Sequence, residues 1–156
     1  MTAVLNKPVT GRSLISSALF NQLTSRIVAD EKLNRDLAER IVDQALAFLS
    51  ACATNTGAPL APSELVDIGW HTFILHTRDY ADFCDRIAGR FLHHVPTDPG
   101  DPSARGEAAR ETLAHTVASI EAAGFTIEAD LWPRSAFDSC TGCHNGCHND
   151  PPPARR

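Results

Sequence analysis

Five soft or borderline metal ligands fall within nine residues near the C-terminus, as Cys140-x-x-Cys143-His144-x-x-Cys147-His148. Thiolates and imidazoles suit zinc, copper or iron, and their close spacing lowers the entropy cost of closing a chelate. The pattern lacks the matching second half of a zinc-finger pair. A flexible Cys/His-rich end with no ion is the alternative. The same run contains C-x-x-C-H, the attachment signature of a c-type haem. That chemistry needs an exported chain, and residues 1–14 lack a charged start, apolar core and cleavage site, so haem is disfavoured. The spacing also departs from both common ferredoxin patterns, which ranks an iron–sulfur cluster low.

A second group lies mid-chain: Asp67, His71, His76, Cys84 and the pair His93-His94. Asp67 and His71 are four residues apart, so on a helix they project from one face and can share a metal. Alternatively, the carboxylate orients the imidazole as an outer partner. His76 lies five residues beyond His71, too far round a straight helix to join the same site easily. A lone histidine on an apolar helix is ordinarily a hydrogen-bonded core residue, and a cysteine on an inward stripe is ordinarily a small apolar one. What favours a site is the number of such residues between Asp67 and His94. A Cys84 nucleophile is disfavoured, because Asp82 and Asp85 beside it raise a thiol's pKa. No phosphate-binding glycine loop, nucleophile elbow or H-E-x-x-H is present.

Elements that position these residues follow from apolar spacing. Ile15, Leu19, Leu23 and Ile27 recur at four-residue steps, giving a first helix after a loose lead-in over residues 1–12. A second helix is expected from about Asp30 to Thr54, with Leu33, Leu37, Ile41, Ala45, Phe48 and Cys52 inward. The NTGAPLAP run at 55–62 breaks it. Ser63 caps a third helix, Glu64 to His76, which is apolar on nearly every side and therefore expected in the middle of a bundle. A fourth runs from Thr77 to Arg90, with Tyr80, Phe83, Cys84, Ile87 and Phe91 inward. A fifth runs from Ser103 to Gly124, and Phe125–Pro133 is an extended stretch leading into one helical turn. The reading is all-α: a bundle of about five helices over residues 1–134, then an irregular tail over 135–156. That tail has almost no large apolar residues after Phe137 and cannot build a core alone.

The chain has 156 residues, enough for one domain with a sizeable core, and a formal charge of −5. Basic residues are scattered, which argues against nucleic acid. No apolar run is long enough to span a membrane. A cytoplasmic protein with reduced thiols is the resulting expectation.

The segment Asp67-Ile68-Gly69-Trp70-His71, with Tyr80, Cys84, Gly89 and His94-Val95-Pro96, resembles the glycine-rich domain-containing protein-like family. The likeness spans residues 63–96, and the arginine-rich, alanine-rich composition looks like an actinobacterial member. It implies a compact helical domain and carries no biochemical activity with it. Three functional readings follow. The first is a zinc- or iron-binding protein using Asp67, His71, Cys84, His93, His94 and the tail ligands Cys140, Cys143, His144, Cys147 and His148. The second is a metal-dependent enzyme, with two histidines and Asp67 holding non-haem iron. The third is an adaptor or peptide-like substrate, recognised by a protein partner and modified on its cysteine-rich tail.

Overall fold

The computed structural model describes residues 9–133 apart from Thr97 and Pro99. Five α-helices carry the architecture: α1 (Ser17–Glu31), α2 (Arg35–Thr54), α3 (Glu64–Leu75), α4 (Thr77–Ala88) and α5 (Gly106–Ala122). Single 3₁₀ turns lie at Gly11–Leu14, Pro102–Ala104 and Ala129–Leu131. The all-α reading stands. Among the described residues no helix is long and apolar enough to cross a membrane.

The break between α1 and α2 falls later than the apolar pattern suggested. Asp30 belongs to α1, which stops where Lys32 turns left-handed at φ 56°. Asn34 then caps α2 by accepting a hydrogen bond from the Leu37 amide at 2.8 Å. The third helix begins as read, with Ser63 accepting from Val66 N at 3.2 Å. The fourth ends at Ala88, two residues short of Arg90, because Gly89 adopts φ 66° and closes the helix.

The centre of the bundle is α2, which packs against all four other helices. Eleven of its residues are buried, among them Ile41, Ala45, Leu46, Phe48 and Leu49. This corrects the expectation that α3 lies in the middle of the bundle. One edge of α3 meets solvent, with Leu75 66% exposed. The inner edge lies so close to α2 that only a glycine fits at position 69. A Cβ there would sit 2.8 Å from Ala45 Cβ and 3.0 Å from the Ile41 carbonyl oxygen. Gly11 makes the same kind of approach to α2, where a Cβ would come within 2.0 Å of the Asp43 carbonyl oxygen.

Phe125–Trp132 lies along α2 and is held there by one buried glutamine. Gln44 Oε1 accepts from Glu128 N at 3.0 Å and Trp132 Nε1 at 2.8 Å, while its amide donates to the Thr126 carbonyl at 3.0 Å. The extended stretch and its helical turn are therefore present as expected, and Val9 bridges to Phe125 alongside. Arg40, on the same helix, reaches Glu128 at 3.2 Å and also bonds Asp130. That guanidinium holds the Asp130 carboxyl below its usual range.

Cys52 is disulfide-bonded, which departs from the expectation of reduced thiols throughout. Cys84 is the free cysteine among the described residues.

The close α2–α3 approach is directly testable. Gly69→Ala should lower unfolding stability by about 1–3 kcal/mol in a denaturant titration, the usual cost of forcing a methyl into a filled core. A change within experimental error would show that the two helices are free to separate.

Candidate metal centre

Asp67 and His71 stand one turn apart on α3, so the helix itself brings them together. His94 comes from the segment after α4, and an irregular segment needs anchors to deliver a side chain accurately. Those anchors are in the core. Trp70 Nε1 donates to Tyr80 Oη at 2.9 Å, and the Tyr80 hydroxyl donates in turn to the Leu92 carbonyl. Leu92 is thus held at its carbonyl, two residues before His94, and its own side chain is buried. The His94 ring then packs edge-on against Trp70, with centroids 4.4 Å apart.

The result is a carboxylate held between two imidazoles. His71 Nε2 lies 3.0 Å from Asp67 Oδ2, and His94 Nε2 lies 2.9 Å from Asp67 Oδ1. One candidate ligand atom from each residue falls within 4.8 Å of the others. Ligands on an ion with bonds of about 2.1 Å stand at most about 4.2 Å apart, so closing this set needs only a small adjustment of side chains. The three residues can hold a metal ion. Their surroundings are uneven: the side chains of Asp67 and His94 are 12% and 8% exposed, whereas that of His71 is 58% exposed. The site therefore has a dry wall formed by Trp70 and a wet side at His71. That exposure departs from the expectation that the third helix lies in the middle of the bundle.

The remaining candidates separate clearly. His93 is not part of this group, is exposed, and packs its ring against Phe91 with centroids 4.8 Å apart. His76 ends α3 and bonds through Nδ1 to the Thr72 carbonyl at 3.1 Å. Cys84 is fully buried and is not part of the Asp67–His71–His94 group. Burial pushes its thiol pKa up, against the opposing pull of the Leu92 amide and the Tyr80 hydroxyl. Burial likewise raises Tyr80. Cys140, Cys143, His144, Cys147 and His148 lie outside the described residues. Sequence spacing identified Asp67 and His71, and left His93 and His94 as equals. What it missed is the Trp70–Tyr80–Leu92 chain that selects His94, because a tyrosine on an inward stripe gives no sign of which carbonyl its hydroxyl will reach.

Cys84 should accordingly be inert. Full-length protein in neutral buffer is expected to resist iodoacetamide at Cys84 until denaturant is added, read by peptide mass mapping. Rapid native alkylation at that residue would contradict the packing described for α4.

No curated protein and no solved structure matches the chain. A family model does match residues 12–113, a span that contains all three residues of the triad and stops before the 140–148 cluster. Covering well over half of the chain and the helical frame around the site, that match makes the protein a member of the UCP032817-like family.

Proposed function

We propose that this is a metal-binding protein in which Asp67, His71 and His94 hold one zinc or iron ion. The observation that supports this most is the charge of Asp67. Its side chain is nearly buried, and its ion-pair partners among the described residues are the two imidazoles alone. A carboxylate so far from water is costly unless a cation offsets its charge. A divalent ion between the three side chains supplies that offset, and imidazole with carboxylate is a donor set suited to zinc or ferrous iron.

The ion would also join two parts of the chain that are 27 residues apart in sequence, α3 and the segment carrying His94. A structural contribution is inherent in that geometry. Two histidines and one carboxylate also form the set used by non-haem iron enzymes, and it is this arrangement that keeps a metal-dependent activity as the second reading. The 140–148 ligands are proposed as a separate, neighbouring site, which leaves the Asp67–His71–His94 ion with three protein ligands. The likeness of residues 63–96 to the glycine-rich domain-containing protein-like family and the cytoplasmic setting also belong to this proposal.

Calorimetric titration of the tag-free, chelator-treated full chain with zinc tests the assignment. A variant with the three tail cysteines changed to Ser and His144 and His148 changed to Ala should still bind about one ion. His71→Ala is made at an exposed position, so the fold should survive, and affinity at this site should fall at least about tenfold. If His71→Ala binds as tightly as the parent while the tail variant binds nothing, the ion belongs to the tail and this assignment is wrong.

A further inference from the structure

We propose that the ion keeps coordination positions open toward solvent and there takes a small monoanionic oxygen-donor ligand with an apolar body, of the carboxylate class. This inference rests on the metal-binding reading above and adds the nature of the exchangeable ligand.

The first argument is one of counting. Asp67, His71 and His94 form the whole ligand group among the described residues, and three protein ligands leave at least one position open on zinc or iron. The open side is fixed by burial. Trp70 and the buried His94 close one side, while His71 is more than half exposed. An exchangeable ligand therefore approaches along the His71 edge of α3.

The second argument is charge. One carboxylate and two neutral imidazoles around a divalent ion leave a net charge of +1. Among the described residues, no ion pair beyond these two histidines is made by Asp67. A single negative charge on the incoming ligand completes neutrality, whereas a neutral ligand does not. This selects a monoanion such as a carboxylate over an amide of the same shape.

The third argument concerns what surrounds the opening. Large apolar side chains left exposed among the described residues are Val9, Leu75 and Phe91. Leu75 follows His71 by one helical turn and so stands on the same face of α3. Phe91 precedes His94 by three residues and packs edge-on against Tyr80 with centroids 5.2 Å apart, next to the chain that anchors His94. Two of the exposed apolar side chains thus belong to the two segments that supply the ligands. Leu75, 66% exposed, offers a ligand's apolar body a surface one turn away from the charged end.

The test uses full-length protein loaded with cobalt(II), whose d–d bands report the coordination sphere. Acetate, benzoate and the neutral isostere benzamide are titrated separately. Acetate and benzoate should each change the bands saturably with one molecule per ion, and benzamide should not. Benzoate should bind about fivefold more tightly than acetate because it buries apolar surface against Leu75. Leu75→Asp, at an exposed position, should retain cobalt and acetate binding but lose the benzoate preference. Bands that respond to none of the probes would overturn the proposal, because the sphere would be closed. An intense near-ultraviolet thiolate band would then identify a cysteine of the 140–147 run as the closing ligand. An equal response to benzamide would overturn the monoanion assignment, and a preference surviving Leu75→Asp would overturn the apolar subsite. Failure of the protein to take up cobalt at all is a different result, since it removes the metal-binding reading itself.

Discussion

The Trp70–Tyr80–Leu92 chain of hydrogen bonds determines where His94 can be. Trp70 and Tyr80 are both completely buried, and the indole N–H and the phenol hydroxyl each need a partner there. The indole N–H donates to the phenol oxygen, and the phenol's one proton goes to the Leu92 carbonyl. A segment with no regular structure thereby acquires a fixed point two residues before His94. The proposed metal centre depends on that point, because the other two candidate ligands are already set by the helix that carries Trp70. Core packing and ligand placement are consequently one arrangement: the indole face that fills the interior is also the wall of the site.

Position 69 shows how narrow the tolerances are. The absence of a side chain there lets α3 lie against Ile41 and Ala45 of α2, and that approach seats Trp70 against Phe48 with ring centroids 5.3 Å apart. Moving α3 outward would shift Asp67 and His71 together but leave Leu92 behind, tied to Tyr80 on α4. The three ligands hold together only while α2, α3 and α4 keep their spacing. An ion bound across α3 and the His94 segment would resist the same separation, which is how ligand binding couples to folding in small metal-binding domains.

Much of this frame was legible in the residues themselves, and the exceptions have identifiable causes. Ser63 before a run of apolar residues marks the start of α3 because a hydroxyl cap is local chemistry. Asp67 and His71 were legible as a pair for the same reason, since a four-residue step has one meaning on a helix. The α1–α2 break was misplaced because Lys32, a residue with no special preference for positive φ, makes the turn while apolar spacing continues across it. Gln44 gave no sign of its importance, as its three partners lie more than 80 residues away. Spacing alone could not tell His93 from His94, because a loop has no period from which to infer a face; the resemblance singled out His94-Val95-Pro96, and the distant Tyr80 hydroxyl supplies the physical reason.

The central claim is that a cation sits between the Asp67 carboxylate and the imidazoles of His71 and His94. The most direct measurement is X-ray diffraction from crystals of the zinc-loaded chain, with data collected on both sides of the zinc absorption edge. The account predicts an anomalous peak that vanishes below the edge and lies about 2.0–2.2 Å from one atom of each of the three side chains. A difference map without a peak there, with both Nε2 atoms still at hydrogen-bond distance from Asp67 and the zinc found elsewhere, would contradict it.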